Sequence, residues 1–219
     1  MLFTEFDEDV WQNQQKLLTF FSKKSCIGTD EVGRGCLAGP VVAASVLFPY
    51  QADFFVTDSK KLSKIKREMI SKVIMASSPF IGIAFVHAAM IDKINILNAT
   101  KLAMKISIFR CLGNMKNFID TKDLLLCLDG NFKVPGIEGV NQVSIVKGDS
   151  RIASIGAASI IAKECRDAYM KSINRYFPGY SFDHHMGYGT KNHFQAIQNL
   201  GTTSLHRLTF CKGITHASH

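Results

Sequence analysis

Residues 25–48 read SCIGTDEVGRGCLAGPVVAASVLF. Both ends of this stretch, Ser25 to Asp30 and Val41 to Phe48, read as strands, and the glycines between them, with Pro40, stop either strand from running through. A dinucleotide-binding turn would need a helix next, whereas Pro40 and the β-branched Val41 and Val42 open another strand. The chain thus begins its core with two strands joined by a loop poor in side-chain bulk. The first strand closes on two acids, Asp30 and Glu31.

Outward from this pair, residues 7 to 23 predict an amphipathic helix with Val10, Trp11, Leu17, Leu18, Phe20 and Phe21 on its apolar side. Ser63 is placed to cap a helix running to about Ala76, and Ile81 to Val86 reads as a strand. Asn98 to Leu112 carries Leu102, Lys105/Ile106 and Phe109 at helical spacing. Leu124 to Leu128 is continuously apolar, as for a strand buried on both faces. Val143 to Val146 predicts a short strand and Ile152 to Tyr176 a long helix. That helix opens with Ala153, Gly156, Ala157 and Ala158, small enough to approach a sheet closely. Lys191 to Asn199 predicts a last helix. Strands mixed with helices, then a helical C-terminal part, imply one α/β domain.

The 219 residues suit a single domain, and 47% hydrophobic with 20% charged residues excludes a disordered chain. No apolar run approaches the ~18 residues of a spanning helix, so no membrane association is expected. Glu5, Asp7, Glu8 and Asp9 stand where a signal peptide would be basic and then apolar. Six cysteines, none in a C-x-x-C, fit buried free thiols in a reducing, cytoplasmic setting. The net charge of +8 favours a polyanionic partner such as nucleic acid, with Lys171, Arg175, Lys191, Arg207 and Lys212 against Asp183 alone after Asp167.

Three predicted strands end on acids: Asp30-Glu31, Asp129 before Gly130, and Asp149 between the short strand and the long helix. Ligand sites in sheet proteins gather beyond strand ends. Carboxylates gathered without a cation repel, and a hard divalent ion such as Mg²⁺ or Mn²⁺ removes that conflict. Asp30 and Glu31 face opposite ways on a regular strand, so they share a site only if the strand breaks there. Each acid also has a plainer reading. Asp129-Gly130 is a common turn pair, Asp149 can cap the helix beginning near Arg151, and Asp30-Glu31 can be a solvated strand end.

The loop Gly33-Arg34-Gly35 lets backbone amides approach a sugar or phosphate closely, or it is a tight turn with an exposed arginine. Asp58-Ser59-Lys60-Lys61 offers lysines to phosphates or forms a solvated helix entrance. His184, His185, His193 and His206 lack zinc-ligand spacing of any specificity. Tyr188, between two glycines, is read as exposed and able to stack on a sugar or base, or else as a packed loop anchor. Gln14, Leu17, Phe20 and Phe21 fit the Q-x-x-L-x-x-F-F spacing of sliding-clamp ligands; they equally make an ordinary packed helix face.

Taken together these residues resemble the type 2 ribonuclease H family, ribonuclease HII. The likeness runs through Gly28 to Gly35, Leu37 to Pro40, Asp58 to Leu62, Asn95-Ile96, Ala99-Thr100, Asp129-Gly130, Lys147 to Ser150, Ala157 to Lys163, Gly187 to Thr190 and His206-Arg207. It spans roughly residues 26 to 210 in collinear order. Type 3 enzymes lack this Gly-Arg-Gly and carry a large N-terminal domain.

The resemblance implies a ribonuclease H-like fold, a mixed central sheet flanked by helices, with a helical C-terminal extension. Residues 1–24 would be an N-terminal helix, 25–176 the catalytic domain and 177–219 the helical segment with the stacking tyrosine. It implies an endonuclease cutting the RNA strand of RNA/DNA hybrids and 5′ to single ribonucleotides in duplex DNA. Two divalent ions, Mn²⁺ or Mg²⁺, would be held by Asp30, Glu31, Asp129 and Asp149. Gly33, Arg34 and Gly35 match the loop that senses the ribose 2′-hydroxyl, and Tyr188 the tyrosine that stacks on the next deoxyribose; Lys60 and Lys61 would contact substrate. A monomer is expected. The sequence departs from the pattern at Cys36, where a proline or another small residue is expected, and at Leu208, where a second basic residue is frequent.

Overall fold

The computed structural model describes residues 8–47, 62–78, 80–115 and 118–214. Helix α1 (Glu8–Phe20) leads into β1 (Ser25–Val32) and β2 (Val41–Leu47). Then follow α2 (Lys64–Ser77), β3 (Ile81–Val86), α3 (Ala88–Ile94), α4 (Ile96–Met115), β4 (Leu124–Asp129) and β5 (Asn141–Ile145). The chain continues as α5 (Ala153–Asn174), a single turn α6 (Phe182–His185) and α7 (Lys191–Leu200). One mixed sheet has the order β3-β2-β1-β4-β5. Its β2 is antiparallel to both β1 and β3, while β1, β4 and β5 are parallel. The expected mixed sheet between helices is what forms.

The side chains of β4 divide by the two-residue period of a strand. Leu124, Leu126 and Leu128 join the core built with α4, whereas Leu125 and Cys127 pack with Leu18 of α1 and Ile155 of α5. Close approach of α5 requires Gly28 in β1, because a Cβ there would lie 2.0 Å from the carbonyl carbon of Ser154. That contact seats the long helix over the strand that carries the acids, two residues before Asp30.

Helix α4 corrects the predicted face. Its buried stripe is Ala99, Ala103, Ser107 and Cys111, with Met104 and Ile108, while Phe109 is exposed. Small residues are needed because the helix lies against the sheet so closely that a Cβ at Gly82 would be 1.9 Å from the Ser107 carbonyl oxygen.

Helix α1 also departs from expectation. Phe20 is 80% exposed, whereas Gln14 is buried. The Gln14 side-chain oxygen accepts from the Ser154 amide at 2.9 Å, in the first turn of α5. The residue before α5, Ile152, makes no side-chain cap bond, so Gln14 supplies a partner for an otherwise orphaned helical amide. Capping by Asp149 is not what the structure uses at this amide. Gln14 thus serves the fold, as the packed-face reading of Gln14, Leu17, Phe20 and Phe21 has it, while Phe20 stays outside.

Beyond α5, Tyr180, Phe182, Ile197 and Leu205 pack around Met170 and Leu37. Ala38 pairs with His206 in an isolated antiparallel bridge. The glycine loop and the C-terminal part are thereby joined. No helix among the described residues is long and apolar enough to cross a membrane. All six cysteines are free thiols, five of them buried.

Candidate active site

The parallel ladder from β1 to β4 ends at Thr29↔Leu128, yet β1 continues against β2 as far as Val32↔Val42. Asp30 and Glu31 lie just past that end. The strand need not break: it loses a neighbour on one side only, which opens space for both carboxylates. The Glu31 amide donates to Asp30 Oδ1 at 2.7 Å, drawing the two residues together.

Asp129 is the last residue of β4, one beyond Leu128. One carboxylate oxygen from each of Asp30, Glu31 and Asp129 lies within 4.8 Å of the other two. Asp129 Oδ1 also accepts from the Gly148 amide at 2.7 Å. Asp149 follows Gly148 in the single 3₁₀ turn Gly148–Ser150 and is buried, but its carboxylate stands outside the close group of three. Three of the four acids converge, with the fourth on the turn that braces Asp129.

Burial raises the Asp30 carboxyl well above the usual range, and the charges of Glu31 and Asp129 push it further. The Ser159 hydroxyl, from α5, bonds Asp30 and works the other way. Burial likewise raises Glu31, against the attraction of Arg34, whose Nη1 lies 3.2 Å from Glu31 Oε1. Glu31 Oε2 is buried with no hydrogen-bond partner. An orphaned acceptor beside two more carboxylates suits a hard divalent cation, which takes oxygen ligands and relieves the repulsion. This is the one metal-capable cluster among the described residues; His185, His193 and His206 do not form another.

The glycine loop is set from behind by two buried arginines. Arg207 donates to the carbonyls of Gly33 (2.7 Å), Arg34 (2.8 Å) and Gly39 (2.9 Å). Arg166 donates to those of Pro40 (2.9 Å), Ala38 (3.1 Å) and Met186 (2.7 Å). Arg207 is therefore no surface cation, as its place in the C-terminal basic surplus had suggested. Gly33 has φ +88°, and a Cβ there would fall 2.2 Å from Arg166 Nε. At Gly35 a Cβ would meet nothing within 4 Å. Of these two loop glycines, then, the fold itself requires only Gly33.

Tyr188 is 40% exposed, with Lys163 Nζ 5.9 Å and the Arg166 guanidinium 5.8 Å from its ring centre. Burial raises its phenol, and the neighbouring buried Cys36 thiol adds to this. The preceding Gly187 carbonyl accepts from the amides of Leu37 (2.9 Å) and Ala38 (3.2 Å). Tyr188 and the glycine loop thus share one backbone connection. Lys60 and Lys61 lie outside the described residues. Ser159, Arg166 and the inward role of Arg207 escaped the sequence reading. Ser159, Lys163 and Arg166, at helical spacing in a helix of small apolar residues, were the available signal.

Among solved structures, the fold is similar to that in the PCNA:RNase HII complex from Archaeoglobus fulgidus, with TM-score 0.67 and 22% identity over 84% of this chain and 94% of that one. It is also similar to Bst-RNase HIII in complex with Mn²⁺, with TM-score 0.64 and 18% identity over 88% of this chain and 68% of that one. These likenesses show a ribonuclease H-like fold, and the family match gives its class, a metal-dependent nuclease. The pattern of the ribonuclease HII family matches residues 27–213, and the chain belongs to that family. Ribonuclease HII of Desulfotalea psychrophila is 45% identical over 188 residues, covering 85% of this chain and 80% of the relative. Ribonuclease HII of Caldicellulosiruptor bescii is 42% identical over 209 residues, covering 95% and 96%.

Proposed function

We propose that the protein cuts the RNA strand of RNA/DNA hybrids and the bond 5′ to a single ribonucleotide embedded in duplex DNA. The observation that carries this reading is the convergence of Asp30, Glu31 and Asp129 beside the Gly33-Arg34-Gly35 loop. Asp30, Glu31 and Asp129 would hold divalent metal, with Asp149 joining from the turn after β5. Two bound ions supply an activated water and shield charge on the phosphorus. The chain's own residues hold that cage and place the strand.

The open space over Gly35 supports close approach of a ribose to the loop, and the 2′-hydroxyl is what marks RNA against DNA. Arg207 and Arg166 occupy loop carbonyls from behind, which keeps the outer side of the loop for substrate. Tyr188, joined to the loop through Gly187, is placed to pack on the neighbouring sugar. A ribose there would set a hydroxyl against the ring, so the preferred cut is at a ribonucleotide followed by DNA.

The test is a gel assay on duplex DNA with one embedded ribonucleotide, beside a continuous RNA/DNA hybrid, with Mg²⁺, Mn²⁺ or chelator. Metal-dependent cutting 5′ to the lone ribonucleotide is expected, and Tyr188→Ala should lower that activity more than activity on the hybrid. Equal cutting of all-DNA duplex would reject the ribonucleotide specificity.

A further inference from the structure

Two histidines of the C-terminal part, His193 and His206, are buried beside Tyr188 without taking part in the acidic site, and a third, half-buried His185, packs against them. His193 is fully buried and His206 is 2% exposed. Their Nε2 atoms face each other at 3.1 Å. His206 Nδ1 accepts from the Thr203 amide at 2.8 Å, and His193 Nδ1 lies 2.9 Å from the Tyr188 carbonyl oxygen.

These contacts leave one arrangement of protons. A backbone amide always donates, so His206 Nδ1 is bare and its proton sits on Nε2. That N–H points at His193 Nε2, which must accept. His193 then carries its proton on Nδ1, where it donates to the Tyr188 carbonyl. We infer that His206 and His193 form a proton-ordered relay that fixes the backbone of Tyr188, making both positioning residues for the ring that meets substrate.

The surroundings keep the relay neutral. Burial brings both rings down to about 4, and the neighbouring histidines add to this. His185 stacks on His193 at 4.4 Å between ring centres, and Tyr180 lies 5.2 Å from His206. Among the described residues, the charged groups acting on either imidazole are other histidines. His185 accepts from the Gly187 amide at Nδ1 (3.1 Å) and so donates from Nε2 to the Tyr180 carbonyl (2.7 Å). It closes the same turn from its other side. A second proton on either relay ring would set N–H against N–H and break the chain beneath Tyr188.

The inference rests on the proposed contact of Tyr188 with substrate, so the test has two arms. In the first, ring-nitrogen NMR of the whole protein at neutral pH should show His206 protonated at Nε2 and His193 at Nδ1. The reverse tautomers would overturn the relay whatever Tyr188 does.

In the second, kinetics on the embedded ribonucleotide should show His193→Ala raising KM about tenfold with a smaller change in kcat. His193→Asn, which keeps an N–H near the Nδ1 position, should recover most of the loss. In a Tyr188→Ala background, His193→Ala should add less than a twofold effect. Equal penalties in both backgrounds would make His193 a general structural residue and sink the positioning role. If Tyr188→Ala itself were harmless, the substrate contact would be wrong, and the NMR arm would still judge the relay.

Discussion

Arg207 Nη2 donates to the Gly33 carbonyl at 2.7 Å, across 174 residues of chain. With its bonds to Arg34 and Gly39, this guanidinium spends its donors on main-chain oxygens rather than on a carboxylate. Burial lowers it to about 10, so it stays charged at neutral pH. A buried charge is tolerated only when its donors are satisfied, and here the loop carbonyls satisfy them. The C-terminal part therefore does more than cover the domain: it sets the shape of the glycine loop.

Arg207→Lys tests this directly. Lysine keeps the charge but loses the planar fork, so several carbonyls lose their partners. Hydrogen bonds to charged groups contribute about 1.5–3 kcal/mol each, and a loss on the order of 3 kcal/mol is expected in urea unfolding. Nuclease activity should fall with it. Unchanged stability together with unchanged KM would show that the loop holds its shape without this clamp.

The two loop glycines should separate. Gly33→Ala combines a strained φ of +88° with a clash on Arg166, so both stability and activity should drop. Gly35→Ala meets open space, so its melting temperature should stay within about 2 °C of the parent, as for a change below ~0.5 kcal/mol. Its KM for ribonucleotide-containing DNA should nonetheless rise, because under the proposed function the added methyl would stand where substrate approaches. A Gly35→Ala protein with unaltered KM would move the sugar elsewhere.

Much of this architecture was legible in the chain. The five strands came from short apolar runs bounded by glycine, proline and acids, and β4 from its unbroken Leu124 to Leu128. Asp30, Glu31 and Asp129 were marked by standing at strand ends. Helix α3 was not legible, because seven residues with Ala88 and Ile91 as the buried pair are too short to display a period. The buried face of α4 was misassigned because large residues were weighted over the small ones that close packing demands. Arg207 was misread, and Gln14 was left open between a packed face and an outside partner, for one reason: polar side chains suggest partners outside, and only the tertiary fold shows the amide or carbonyls they serve. That the close group of three leaves out Asp149, on the turn beside Asp129, was equally beyond a one-dimensional reading.

Acid should weaken the fold through the histidine pair. Folded His193 and His206 titrate near 4, against about 6.5 for an unfolded histidine. Between these values the unfolded chain binds more protons, so stability falls as pH drops from about 6.5 towards 4 and is unaffected above that window. The slope approaches about 1.4 kcal/mol per pH unit for each proton. Asp30 and Glu31, raised rather than lowered, act in the opposite sense. The diagnostic is therefore the difference between the parent and His193→Asn in urea midpoints from pH 7.5 to 4.5. Parallel curves would mean that His193 is charged or solvated at neutral pH.

Asp30→Asn should separate catalysis from folding at the acidic cluster. Asp30 is buried among two other carboxylates, and its charge opposes folding whenever no cation is bound. Replacing it with a neutral residue of the same shape should raise the metal-free melting temperature at neutral pH by a few degrees, equivalent to about 1 kcal/mol. The Ser159 hydroxyl keeps a side-chain oxygen to bond, so the local packing survives. Nuclease activity should nevertheless fall by at least about a thousandfold, as expected when a metal ligand is removed from a site that depends on the metal for its nucleophile. Adding Mn²⁺ should raise the melting temperature of the parent and leave that of Asp30→Asn nearly unchanged, because ligand binding stabilises only the state that holds the ligand. Asp129→Asn should behave alike in activity, and Asp149→Asn tests whether the acid outside the close group belongs to the same site. If Asp30→Asn lost both activity and stability while Mn²⁺ stabilised it as strongly as the parent, Asp30 would be a packing residue and the metal would lie elsewhere.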